Sequence, residues 1–175
     1  AEEDAGLVGD LARTVIGMVT DSVDAFVRQD KDAAAAVIKR DDEADNLFTQ
    51  IKSGIIERLA NSQGEGEYAL DLLMIAKYLE RIGDHAMNIC EYTNMIKEKQ
   101  ITFSKEVMVQ IEQMKEVCCD ALDLLLDNQA NSENLHSIES IEQKIDDMTE
   151  SFRQGQIDRM QTGKCSDEGC VLYSE

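Results

Sequence analysis

The chain has 175 residues, of which 36 are Asp or Glu and 17 are Lys or Arg, for a formal net charge of −19. No apolar run reaches the roughly 18 residues that span a bilayer and no basic segment leads into a short apolar one as in a secretion signal, while so large an excess of carboxylates disfavours nucleic acid and suits cations. Zero prolines, no tryptophan and four each of Tyr and Phe leave few strand formers and no interior helix breaker, which predicts an all-α fold.

In chain order, Leu7, Leu11, Val15, Met18 and Phe26 step mostly by three or four and predict a first helix from about Leu7 to Gln29. A polar corner at Asp30-Lys31-Asp32 leads into a second helix from about Asp32 to Ser62, striped by Val37, Ala44, Phe48, Ile51, Ile55 and Leu59. Asn61-Ser62-Gln63-Gly64-Glu65-Gly66 is the clearest loop. The third helix, about Glu67 to Lys99, carries Leu72, Ile75, Leu79, Ile82, Ala86, Ile89, Thr93 and Ile96 at alternating steps of three and four, a heptad seam for packing. Ser104 is placed to cap a fourth helix that runs to about Asn128, with Phe103 and Met108 as a hydrophobic staple. A polar turn at Gln129 to Ser132 precedes a fifth helix from about Glu133 to Thr162. Gly163-Lys164-Cys165-Ser166 then turns the chain toward a sixth helix that begins near Asp167.

The two halves repeat. Asp41-Asp42-Glu43-Ala44-Asp45 superposes on Glu142-Gln143-Lys144-Ile145-Asp146, and with the same offset Ile56-Glu57-Arg58-Leu59 falls on Ile157-Asp158-Arg159-Met160. The expected architecture is two tandem pseudo-repeated three-helix bundles, 1–100 and 101–175, with the second lacking most of its last helix. The chain also lacks an initiator Met, so it reads as a piece of a larger protein.

Three carboxylate pairs stand at i, i+4: Asp41 with Asp45, Glu80 with Asp84, and Glu142 with Asp146. That spacing places like charges on one face within about 6 Å, where a cation would relieve their repulsion and gain hard oxygen ligands. The competing reading is chance pairing on solvated faces of an acidic chain. Asp41 and Asp45 lie roughly 40° and 80° from the stripe through Val37, with Glu142 and Asp146 at the same angles from Ile138; Glu80 and Asp84 lie roughly 140° to 180° from the third helix's seam and face away from it. His85 reads as a partner for a neighbouring side chain, Arg58 and Arg81 as surface ion pairs rather than phosphate ligands, and the methionines as core filler. Cys118-Cys119 read as small apolar residues, and Cys165-xxxx-Cys170 has no second Cys/His pair to complete a soft-metal site. Five cysteines, three of them in predicted helices, fit a reducing compartment, by default the cytoplasm. No nucleophile-base set, phosphate-binding glycine loop or Glu-x-x-His di-iron signature is present, so the expectation is a protein that is not an enzyme.

Leu79-Glu80-Arg81-Ile82-Gly83-Asp84-His85-Ala86-Met87-Asn88-Ile89-Cys90-Glu91 resembles the signature of the PhoU family of phosphate-uptake and phosphate-signalling regulators, and Asp21 to Phe26 and Val37 to Asp45 are similar to the two preceding helices of its repeat. The second half, through Ile101-Thr102-Phe103-Ser104 and Ile157 to Cys165, resembles the cytoplasmic region of bacterial sodium-dependent phosphate cotransporters. A second Glu-Arg-(Ile/Val)-x-Asp-His motif, which such proteins carry, is absent from these residues. The resemblance implies a six-helix fold and metal clusters at Asp41, Asp45, Glu80, Asp84, Glu142 and Asp146, with iron, manganese, zinc or magnesium as candidate ions. It further implies a regulator that contacts a phosphate transporter or its sensor kinase, with peripheral association at the inner membrane face and homo-oligomerisation as additional expectations. The alternatives are the cytosolic domain of a sodium/phosphate cotransporter and a purely structural helical bundle.

Overall fold

The computed structural model describes residues 2–61, 66–101, 103–126 and 132–164, apart from the side chains of 2–4, 125–126, 132–139 and 142. Five α-helices fill these residues: α1 (Glu2–Arg28), α2 (Lys31–Asn61), α3 (Gly66–Lys99), α4 (Lys105–Leu126) and α5 (Ser132–Gln161). The all-α expectation holds. The predicted loop at Ser62 to Glu65, the turn at Gln129 to Asn131 and the sixth helix lie outside the described residues. Contacts divide the chain into two units, Ala1–Glu91 and Tyr92–Glu175.

In the first unit α1 and α2 form the tightest pairing. Leu11, Val15, Met18 and Ile51 are completely buried and Ile55 nearly so, each such side chain removing apolar surface worth roughly 1.5–3 kcal/mol from water. The corner between them is made by backbone chemistry. Gln29 takes a left-handed conformation, φ 51°, and the Asp30 N–H reaches back to the Ala25 carbonyl at 2.9 Å, closing α1 with a Schellman turn. The Asp30 carboxylate then accepts from the N–H groups of Asp32 and Ala33 at 3.0 and 3.1 Å, so the cap of α2 is Asp30.

The third helix packs on a face rotated from the one its apolar residues predict. The buried row is Ala69, Leu72, Ala76, Leu79, Gly83, Ala86 and Cys90, still at steps of three and four. Leu72, Leu79, Ala86, Thr93 and Ile96 belong to both seams, but the intervening positions move by one residue, from Ile75, Ile82 and Ile89 to Ala76, Gly83 and Cys90. Ile75 is 48% exposed, as are Met74 and Tyr78 to similar degree, which also removes Met74 from the core. The reason is close approach. A Cβ built at Gly83 would lie 3.6 Å from Val15 Cγ2, 3.8 Å from Met18 Cε and 3.9 Å from Asp41 Oδ1. Small residues let the α3 backbone settle onto α1 and α2, where isoleucines would hold it off.

In the second unit α3 ends as α1 does: Gln100 has φ 56° and the Ile101 N–H bonds the Ile96 carbonyl at 3.0 Å. The predicted cap of α4 is present, the Val107 N–H donating to Ser104 Oγ at 3.3 Å. Thr93, Ile96, Ile101, Val107, Val117 and Leu122 are buried, together with the polar Gln156 and Arg159. Arg159 Nε and Nη2 both donate to Gln156 Oε1, at 3.1 and 2.9 Å. At the repeat-related positions, Arg58 is only half-buried, while Ile56, Leu59, Ile157 and Met160 all remain exposed.

Candidate functional site

The rotation of α3 decides where its carboxylates point. Measured from the centre of the buried row, Glu80 and Asp84 lie roughly 70° and 110° away instead of on the far side. They flank the packed seam and meet the rim of α2, correcting the outward placement predicted for them. The Glu80 side chain is only 15% exposed. Asp41 and Asp84 are half-buried and Asp45 is exposed. Asp41 lies beside the α3 backbone at Gly83, its Oδ1 3.9 Å from where a Cβ would stand.

These four carboxylates sense one another. Burial, and after it the charges of Asp45, Asp84, Asp42 and Glu80, raises the Asp41 carboxyl above its ordinary value. Burial likewise raises Asp84, followed by Glu80 and Asp45, while Lys77 and His85 pull it back. Lys77 was not singled out by its sequence context. Its Nζ lies 2.5 Å from Glu80 Oε2 and 5.2 Å from the centroid of the Phe48 ring on α2.

Four carboxylates offer the hard oxygen donors that iron, manganese, magnesium or zinc accept. Yet among the described residues no group of three or more His, Cys, Asp or Glu side chains is arranged to hold a metal ion. The donor chemistry suits a cation; the arrangement of the side chains does not close around one. In the other repeat, Asp146 is exposed and the Glu142 side chain lies outside the description.

Other candidates resolve more simply. Arg40 lies across α1 at Gly17, pairing with Asp21 at 2.5 Å and donating to the Thr14 carbonyl at 3.3 Å. With Asp24, Arg28 and Asp30 it lines an open cleft of about 220 Å³ whose charges are of mixed sign. Burial, then the charge of Asp21, pushes the Cys90 thiol up to about 11, and burial ahead of Cys119 raises Cys118, so neither is a thiolate at neutral pH. Cys165 and Cys170 lie outside the described residues. No helix among the described residues is long and apolar enough to cross a membrane.

Comparison with known proteins adds a family. Residues 8–93 match the family model described as the PhoU domain. The chain is similar to the phosphate-specific transport system accessory protein PhoU homolog of Clostridium acetobutylicum, 35% identical over 95 residues, which is 54% of this chain and 43% of that protein. It is 38% identical over 82 residues to PhoU homolog 1 of Thermotoga maritima, covering 47% of this chain and 35% of that one. The chain thus spans less than half the length of these relatives. The crystal structure of the phosphate transport system regulatory protein PhoU from Streptococcus pneumoniae has the same fold, with a TM-score of 0.85 at 21% identity over 99% of this chain and 82% of that chain.

Proposed function

We propose, for a chain that belongs to the PhoU family through residues 8–93, a regulator of phosphate transport and phosphate signalling that works by protein contact and catalyses no reaction. The observation that carries this reading is the joining of that domain to a built electrostatic feature: the Leu79 to Glu91 signature holds Glu80 and Asp84 beside Asp41 and Asp45 of α2. Its partners are a phosphate transporter or the transporter's sensor kinase, met in the cytoplasm at the inner face of the membrane. Relatives named as accessory proteins of phosphate-specific transport support that choice of partner. A chain with a net charge of −19 favours partners whose facing surface is basic and speeds their encounter at low salt. Cation binding at Asp41, Asp45, Glu80 and Asp84 belongs to the same proposal as a state that requires those side chains to rearrange.

The test is genetic. Deleting the gene in its own host should release a phosphate-starvation reporter at high phosphate, and the intact gene should restore repression. A reporter that stays repressed after deletion removes the regulatory reading.

A further inference from the structure

Opposite its buried row, α3 carries a second row of side chains. Glu67, Leu70, Asp71, Met74, Lys77, Tyr78 and Arg81 are all exposed and recur at steps of three and four, which keeps them within a sector of roughly 120° over four helical turns. Leu70, Met74 and Tyr78 are 54%, 51% and 58% exposed, a run of large apolar side chains left to solvent on a helix whose other face is sealed. The charges around them are balanced, two acids against two bases, in a chain where acids outnumber bases 36 to 17. They are also ordered. Both acids precede Met74 and both bases follow it at mirrored spacings: Asp71 and Lys77 are each three residues away, Leu70 and Tyr78 four, Glu67 and Arg81 seven. The helix dipole does not account for this order, because Lys77 and Arg81 lie in the first half of α3, where it gives cations no advantage. Among the described residues, Glu67, Asp71 and Arg81 have no ion-pair partner within the chain, and Lys77, although it holds Glu80, keeps 47% of its side chain exposed.

We propose that this row is a self-pairing surface, through which two copies of the chain associate by antiparallel α3 helices about a two-fold axis at Met74. Turning the row end for end about that residue sets Asp71 of each copy against Lys77 of the other, Glu67 against Arg81 and Leu70 against Tyr78, the self-complementarity that an isologous interface requires. The charge order selects the occupant. A uniformly basic partner would meet Glu67 and Asp71 but be repelled by Lys77 and Arg81, and an acidic one the reverse, whereas a second copy presents the matching order by construction. The net charge of −19 on each copy opposes their approach at long range, so pairing depends on this locally neutral strip. A four-turn helix pair buries less than the roughly 1,200–2,000 Å² of a standard stable interface, so the dimer is weak, with a Kd on the order of micromolar or above. The inference does not rest on the regulatory reading.

The experiment is sedimentation equilibrium of the whole chain from about 1 to 300 μM. The parent should show a reversible monomer–dimer equilibrium. Lys77→Glu/Arg81→Glu makes the row wholly acidic and Glu67→Lys/Asp71→Lys makes it wholly basic; each alone should dimerise about tenfold or more weakly, and an equimolar mixture of the two should associate at least as well as the parent. Circular dichroism checks that these surface variants keep the parent's helical content. Met74→Cys, on the axis, should give a disulfide-linked dimer on mild oxidation that neither the parent nor Leu70→Cys gives, because the two Leu70 positions stand about 12 Å apart along the helices. A parent that stays monomeric throughout overturns the proposal, and if Lys77→Glu/Arg81→Glu then also releases the phosphate-starvation reporter, the row belongs to a different protein. Dimerisation that survives both charge reversals, or a mixture that stays monomeric, overturns the pairing of these rows. Equal crosslinking of Leu70→Cys and Met74→Cys overturns the axis at Met74. A chain that dimerises as described but whose deletion leaves the reporter repressed overturns the regulatory reading alone.

Discussion

The α1–α2 pair and the α4–α5 pair differ in what they bury. Among the described residues, the α1–α2 pair seals Leu11, Val15, Met18 and Ile51 completely along with the small polar Ser22, whereas the α4–α5 pair leaves Val117 and Leu122 at 5% and 8% and encloses the larger polar Gln156 and Arg159. Their carboxylates differ too. Asp41 stands against Gly83, Glu80 and Asp84, while its relatives in α5 lead to an exposed Asp146 and to Asp147, which accepts from Gln143 at 2.9 Å. In the first unit the small-residue row draws α3 close and sets Glu80 and Asp84 beside Asp41.

The sharpest way to break this contrast is to hollow each core. Ile51→Ala, at a fully buried position, should cost about 2–5 kcal/mol, and Leu122→Ala distinctly less because its site already touches solvent. Chemical denaturation measures both; equal losses would show that the two pairs are packed alike.

Position 83 tests the close approach. A single methyl group there meets only ordinary contacts, so Gly83→Ala should be neutral or stabilising through helix propensity. Gly83→Leu should cost about 1–3 kcal/mol by forcing Val15 and Met18 aside. A Leu variant as stable as the parent would mean that the α3 seam is not seated as described.

The smallest effect is electrostatic. Asp41 and Asp84 bind their protons more tightly folded than unfolded, so each favours the fold fully below the unfolded value near 3.8 and loses that benefit as pH rises through the raised folded value. Asp41→Asn should therefore raise the unfolding temperature at pH 7 and raise it less at pH 4. A gain that grows on acidification would contradict the mutual repulsion of the cluster.

Much of this was legible in the sequence, for reasons that also explain what was not. Heptad spacing identifies α3 as a helix and gives Leu72, Leu79, Ala86, Thr93 and Ile96 of its seam correctly. It points to Ile75, Ile82 and Ile89 for the rest because large apolar residues dominate periodicity, while a glycine contributes nothing to it. That error moved Glu80 and Asp84 from the flank of the packed face to its far side. The pairing of Asp41 with Asp45 was visible, since both lie on one helix. Their convergence with α3 depends on interhelical distance, which a single sequence does not encode. Lys77 was missed because an i, i+3 lysine is common near glutamate, and only the Phe48 ring on another helix distinguishes this one.

The row of Ala69, Ala76, Gly83 and Cys90 has a consequence for the order of assembly. The small side chains let the backbones approach while Leu72 and Leu79 supply most of the apolar area removed from water, so α3 joins the α1–α2 hairpin through shape as well as through hydrophobic free energy. The hairpin closes through short-range contacts across a two-residue turn and can form first, with α3 docking afterwards. Local opening then follows the reverse order, releasing α3 before α1 and α2 separate. The charged face spans this last-made junction, which makes the balance of carboxylates and cations there a control on how often the third helix lets go.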